Sequence, residues 1–93
     1  MDSMEPEEFQ SLLDQHYKWP CEYMFKFIVK NEFSDEIQKL EDLFSELEVI
    51  EKSTRNSHGG KYISYSLRAN MGSSQDVLQV YEKVYNIGNV VSL

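Results

Sequence analysis

The chain has 93 residues, a formal net charge of −7 and 41% apolar residues, a composition typical of one small globular domain. No run approaches the roughly 18 apolar residues of a membrane helix, and the acidic N-terminus lacks the basic and apolar regions of a signal peptide. We therefore expect a cytoplasmic protein. The single cysteine, Cys21, excludes an internal disulfide. The acidic balance disfavours nucleic acid and membrane surfaces as partners.

The first segment, residues 1–18, has the pattern of an acidic amphipathic helix. Ser3 is a candidate N-cap, and Pro6 is tolerated in a first helical turn. Four residues recur at helical spacing and form the predicted buried stripe: Phe9, Leu12, Leu13 and His16. We expect the helix to end before Trp19, because a residue that precedes proline is pushed out of helical dihedrals.

Two segments alternate with period two and predict the central strands of a sheet, residues 61–71 and residues 23–30. The predicted core-facing set is Ile63, Tyr65, Leu67 and Ala69 with Tyr23, Phe25, Phe27 and Val29. The opposite face should carry Met24, Lys26, Ile28, Lys30, Tyr62, Ser64, Ser66, Arg68 and Asn70.

Two further helices and two edge strands complete the pattern. Residues 34–47 predict a helix with the buried stripe Ile37, Leu40, Leu43, Phe44 and Leu47. A second helix begins after Ser73, which is spaced as a capping pair with Asp76. Its predicted stripe is Val77, Leu78, Tyr81, Val84 and Tyr85. Residues 48–55 read as an edge strand whose charges discourage edge-to-edge pairing, and residues 90–93 read as a short last strand.

The element order after the first helix is strand, helix, strand, strand, helix, strand. With right-handed crossovers this order predicts an α+β ferredoxin-like βαββαβ sandwich, in which a four-stranded antiparallel sheet carries two helices on one face. We divide the chain into an N-terminal helical extension, residues 1–18, and a ferredoxin-like domain, residues 19–93.

Three short motifs resemble the YbeD-like bacterial family of domains of unknown function. They are Trp19-Pro20 followed by Tyr-Met-Phe-Lys-Phe-Ile-Val, Ser-His-Gly-Gly-Lys-Tyr-Ile-Ser at residues 57–64, and Asp76-Val77 with Tyr81. The resemblance runs from about residue 9 to residue 93. It implies a bacterial ferredoxin-like domain similar to the small regulatory ACT domains, with no catalytic residues to carry over. The N-terminal extension is longer and more acidic than the family's lead-in helix.

The residues that could carry chemistry do not form a recognised catalytic or metal-binding pattern. Cys21 has no positioned base or helix N-terminus to lower its pKa, so we expect a packed thiol. His16 and His58 lie 42 positions apart without further ligands at metal-site spacing. Gly59-Gly60-Lys61 leads into a strand and lacks the phosphate-loop pattern, which favours a hairpin. We therefore expect a protein that is not an enzyme and holds no cofactor or metal.

Two activities of proteins with the same topology remain as alternatives. Residues 60–65 resemble the aromatic third strand of an RNA-recognition motif, but among its aromatic residues only Tyr62 faces the wet side, and Met24 and Ile28 stand opposite in place of a stacking ring. An acylphosphatase-type hydrolase is less favoured, because the glycine-rich anion loop with its arginine is missing after the first strand.

The open face of the sheet is the candidate interaction surface. Its proposed members are Met24, Lys26, Ile28, Lys30, Tyr62, Ser64 and Arg68, a mixture of cationic, aromatic and aliphatic groups. Ten of the sixteen acids fall on the predicted helical segments, so the sheet face can be locally cationic. The alternative is a solvated face, or one covered by the N-terminal helix. We expect a regulatory or protein-interaction module that binds an unidentified protein or a small anionic ligand, with a homodimer also compatible.

Overall fold

The computed structural model describes residues 5–93, and the N-cap expected at Ser3 lies outside them. Three helices and four strands follow one another in the described chain. They are α1 (Pro6–His16), β1 (Cys21–Lys30), α2 (Ser34–Ser45), β2 (Glu48–Asn56), β3 (Tyr62–Met71), α3 (Ser74–Ile87) and β4 (Val90–Ser92). The predicted order of elements is confirmed.

The four strands form one antiparallel sheet in the order β2-β3-β1-β4. The two central strands pair over their whole length, and Phe25 lies opposite Leu67. The sheet has two edges: β2 pairs only with β3, and β4 pairs with β1 over three residues. This is the α+β ferredoxin-like arrangement that the sequence predicts.

The core lies between the sheet and the helices. Alternate residues of β1 and β3 are buried, as their period-two pattern predicts, and they meet the apolar stripes of α2 and α3. The fully buried large side chains are Phe25, Phe27, Leu40, Leu67, Val29, Val77 and Val84. The helices therefore cover one face of the sheet and leave the other open.

Helix α1 packs beside α3 on the helical side of the sheet. The ring of Phe9 meets that of Tyr81 edge-on at 5.7 Å, and Leu13 is buried in the core. The indole Nε1 of Trp19 donates a hydrogen bond of 2.9 Å to Asp14 and so ties the end of the helix to the start of β1. The sequence placed Leu12 and His16 in the buried stripe, but both are exposed because the helix contacts α3 along a narrower strip.

Helix α3 begins at the predicted cap and buries a slightly different stripe. The side chain of Ser73 accepts a hydrogen bond of 3.1 Å from the backbone N–H of Asp76, which confirms Ser73 as the N-cap. Val80 is buried, whereas Tyr85, placed in the stripe by sequence, is 82% exposed. The buried positions Val77, Val80 and Val84 follow the helical spacing of three and four residues. Tyr85 comes one residue after Val84, and this rotates its side chain about 100° around the helix, away from the buried strip.

Strand β2 contains an irregularity that the sequence did not indicate. Its register against β3 shifts between Val49 and Glu51, so that Ile50 is an extra residue in the strand. A bulge of this kind changes the parity of the strand. Glu48 and Glu51 therefore lie opposite Asn70 and Arg68, which belong to the same face.

Candidate interaction face

The open face is the side of the sheet that the helices leave uncovered, and its side chains form cross-strand rows. From one end to the other the rows are Glu48, Asn70 and Glu22; Glu51, Arg68 and Met24; Ser53, Ser66 and Lys26; Arg55, Ser64, Ile28 and Val91; and Tyr62 with Lys30. All seven candidate residues from the sequence lie in these rows. The register thus brings the candidates together on one continuous surface.

The first two rows form an acidic end of the open face, which also holds Arg68. The Nε of Arg68 lies 3.3 Å from a carboxylate oxygen of Glu22, and its second terminal nitrogen lies 3.4 Å from one of Glu51. These are ion-pair distances, although Nε has no partner with hydrogen-bond geometry among the described residues. Two carboxylates therefore offset the charge of Arg68, and this cation belongs to the acidic end.

The other three rows form a cationic half, which we define by Lys26, Lys30 and Arg55. Within the described rows this half contains no carboxylate side chain. An anion placed there meets positive charge from three strand positions, while the nearest acidic side chains in the rows are those of the second row. The side-chain charges on this half are therefore opposite in sign to the net charge of −7.

A depression of about 530 Å³ lies across the middle of the open face. Ser53, Ser64 and Ser66 supply its floor on β2 and β3, with Lys26 and Arg55 on either side. Serine side chains are short, and longer neighbours stand around them, so the surface is concave here. Hydroxyl groups and cationic nitrogens are hydrogen-bond donors, which suits carboxylate or phosphate oxygens.

An apolar area adjoins the depression. A second depression of about 400 Å³ is lined by Ile28 and Tyr62 and shares Arg55 and Ser64 with the first. Tyr62 is 37% exposed, and the ammonium of Lys61 lies 6.0 Å from the centre of its ring. Val91 of β4 extends the apolar surface beside Ile28. A ligand on this face would therefore meet donors at one end and apolar side chains at the other.

Sequence reasoning missed the residues that the two edges of the sheet contribute to this surface, among them Ser53, Arg55, Val91 and Leu93. Arg55 and Ser53 lie on β2, whose parity is altered by the bulge before Glu51, so their face could not be read from alternation. Leu93 lines the large depression from the β4 side, and its backbone N–H donates to the carbonyl of Lys26 at 2.9 Å. The charged residues Glu51 and Arg55 of β2 were the available signal for a charged surface.

The groups considered for catalysis lie apart from this surface or are poorly suited to it. Burial, with the negative charge of Glu22 as a smaller contribution, raises the pKa of the Cys21 thiol. A raised pKa keeps the thiol protonated, the opposite of what a catalytic nucleophile needs. His16 and His58 are exposed. Across residues 5–93 no three acidic, histidine or cysteine side chains are grouped as a metal site would require.

The fold and this face together define a small α+β module with an uncovered, charge-segregated sheet surface. None of the helices in the described chain has the length and apolarity needed to cross a membrane. The chain belongs to the family described as "Protein of unknown function (DUF493)", whose model matches residues 14–93. Comparisons with curated proteins and with solved structures found no match.

Proposed function

We propose that this protein is a small, non-enzymatic regulatory or protein-interaction module, similar in kind to ACT domains, that binds an acidic protein segment through its open face. The observation that carries the proposal is the depression with its serine floor between Lys26 and Arg55, on the half of the face whose rows contain no acidic side chain. Such a surface complements alternating acidic and apolar side chains. We place this activity in the bacterial cytoplasm.

The location of α1 supports the proposal. A helix lying across the open face would have filled the depression with Phe9 and Leu12. Instead Phe9 contacts Tyr81 on the helical side, and Leu13 enters the core between the helices and the sheet. In the part of the chain that the structure describes, α1 therefore does not cover the cationic half, and a partner can reach it.

The raised pKa of the Cys21 thiol supports the non-enzymatic part of the proposal. The hydrolase alternative would need an anion loop after β1. The connection from β1 to α2 is the three residues Asn31, Glu32 and Phe33, which include neither glycine nor arginine. We therefore do not retain acylphosphatase chemistry as a competing function.

RNA binding remains a second candidate because of one observation. Tyr62 presents an exposed ring between Lys61 and Lys30, and a base can stack on such a ring beside cations. The described open face offers no second aromatic ring for a neighbouring base. An acidic protein segment fits the whole surface better, since it uses the depression as well as Ile28 and Tyr62.

The direct test is amide chemical-shift mapping of the labelled full chain. The probe is a synthetic peptide in which glutamate and leucine alternate, added at about 0.15 M salt, where long-range repulsion is screened. We expect shifts concentrated on the third to fifth rows of the open face. Shifts confined to the helices, or none at all, would contradict the proposal, and stronger binding of oligouridylate RNA that Tyr62→Ala abolishes would favour the RNA candidate.

A matched pair of variants separates local charge from net charge. Lys26→Glu with Lys30→Glu changes the cationic half, and Lys18→Glu with Lys39→Glu makes the same change away from the sheet. Each pair takes the formal net charge from −7 to −11, since every Lys→Glu replacement subtracts two. We expect the first pair to weaken peptide binding at least about tenfold and the second pair to change it little. Equal loss in both would mean that only net charge matters.

A further inference from the structure

The edge strand β2 offers a surface that the proposed function does not use. All nine of its residues are exposed, and only one of its sides is paired, with β3. An edge strand of this length presents backbone N–H and C=O groups that can pair with another strand. In the strand order β2-β3-β1-β4, β2 is the terminal strand, so its free side is the outer margin of the sheet.

We infer that the protein forms a homodimer in which β2 pairs antiparallel with β2 of a second copy, centred on Ser53. A two-fold axis perpendicular to the sheet keeps each open face on the same side. Residues directly opposite each other must then belong to the same face, because opposed side chains in an antiparallel pair point the same way. Glu51, Ser53 and Arg55 belong to the open face, and Lys52 and Thr54 to the helical face.

Charge selects one register among those that this symmetry allows. With Ser53 opposite Ser53 of the second copy, Glu51 faces Arg55 twice, once on each side of the axis. Centring on Lys52 would oppose two lysines, and centring on Glu51 or Arg55 would oppose like charges. Centring on Thr54 forms no acid–base pair. Opposite charges across an antiparallel pair stabilise it, and like charges destabilise it.

The environment on both faces of β2 is compatible with this register. On the helical face Lys52 keeps its 2.7 Å ion pair with Glu41, and Thr54 of the second copy would stand opposite it without charge. On the open face Glu51 already lies near Arg68, so Arg55 of the second copy would complete an alternating row of acids and bases. The sequence led us to expect that the charges of β2 discourage pairing, and in this one register they complement each other instead.

The dimer would join two open faces into one eight-stranded sheet. Arg55 carries five N–H donors, so it can contact Glu51 of the second copy and still border the depression on its own open face. Dimerisation and binding of an acidic segment are therefore compatible, and neither inference depends on the other.

Sedimentation velocity on the full chain, from about 1 to about 500 μM, tests the inference through charge exchange. We expect the dimer dissociation constant to rise about tenfold in Glu51→Arg and in Arg55→Glu, since each variant opposes like charges at two places. The double variant Glu51→Arg with Arg55→Glu restores opposite charges and should restore dimerisation. A monomer at every concentration, or a double variant weaker than both single variants, would overturn the inference.

Cross-linking tests the register itself. In a Cys21→Ser background, cysteine is placed singly at 52, 53 or 54 and exposed to oxidised glutathione, which takes up the two electrons and two protons released when two thiols form a disulfide. Only Ser53→Cys lies opposite itself, with Cβ atoms about 5 Å apart. We expect a disulfide-linked dimer from that variant alone. Equal cross-linking at all three positions would mean random collision, and preference for position 52 or 54 would mean another register.

Discussion

At the scale of single residues, the side chain of Tyr81 connects the layers of the molecule. Its ring lies 5.7 Å from that of Phe9 on α1, and 5.4 and 6.2 Å from those of Phe25 and Phe27 on β1. Its hydroxyl is 3.1 Å from the hydroxyl of Tyr23. Burial, with the contact to Tyr23 as a smaller contribution, raises the pKa of Tyr81. The hydroxyl therefore stays neutral and keeps its hydrogen bond at physiological pH.

Phe25 is the residue at which this aromatic packing should matter most. It is fully buried and contacts Tyr23, Phe27 and Tyr81 through its ring. Phe25→Ala should lower the free energy of unfolding by about 3 to 5 kcal/mol, which approaches the whole margin of a small domain. Denaturant unfolding followed by circular dichroism measures this change.

The neighbouring residue supplies the control for Phe25. Lys26 points to the open face, so Lys26→Ala should alter the free energy of unfolding by no more than about 0.5 kcal/mol. Comparable losses in the two variants would contradict the assignment of the two faces of β1.

At the scale of elements, the predictability of each segment depended on how regular its pattern is. The central strands β1 and β3 could be assigned with their faces because ten residues alternate in each without a break. Strand β2 could be placed but its faces could not, since the bulge at Ile50 leaves no trace in the sequence. The sequence therefore predicted the part of the interaction face that β1 and β3 form. It did not predict the part that Ser53 and Arg55 of β2 form.

The charge of Arg68 shows a second limit of reasoning from one strand. Alternation correctly placed this residue on the open face, but its neighbours there come from two other strands. Glu22 lies on β1 and Glu51 on β2, so the pairing that offsets its charge depends on the register of three strands. A sequence pattern within β3 contains no information about that register.

A hydrogen bond between Glu36 and Asn89 ties the start of α2 to the turn between α3 and β4. The amide of Asn89 donates to the carboxylate at 2.7 Å, and this bond is the main cause that lowers the pKa of Glu36. A lowered pKa in the folded state means that the carboxylate stabilises the fold above its unfolded pKa. The contribution is lost as the pH falls through the folded value.

We therefore expect Asn89→Gly to be destabilised at pH 7 and the gap to wild type to narrow as the pH falls from the unfolded pKa of Glu36 through its lower folded pKa. Glycine tolerates the positive φ of 59° at this position, so the variant removes the bond without adding strain. Chemical unfolding at pH 7 and pH 3 measures the gap. In a Glu36→Gln background the same change should have equal effects at both pH values, and a gap as large at pH 3 as at pH 7 in the native background would contradict the assignment.

At the scale of the whole molecule, the net charge and the cationic half act over different distances. The chain measures 39 × 33 × 21 Å, so the net charge of −7 extends over lengths well above the spacing of the rows on the open face. Along β1, Glu22 and Lys26 are four residues apart, or roughly 13 Å. When screening is weak, a partner therefore interacts electrostatically with the charges of the whole molecule. When screening is strong, it interacts only with the charges of the nearest rows.

This difference predicts a maximum in the salt dependence of binding. At about 10 mM salt the screening length is roughly 30 Å, comparable with the molecule, and the net charge should repel an acidic peptide. Near 0.15 M the screening length is about 8 Å. Repulsion by the distant acids is then screened, whereas attraction by Lys26, Lys30 and Arg55 at close range remains. At about 1 M the screening length is roughly 3 Å, and the local attraction is lost as well. Titration of the glutamate–leucine peptide at these three salt concentrations should give the highest affinity at the middle one, whereas a steady fall from 10 mM upward would mean that the cationic half outweighs the net charge at every distance.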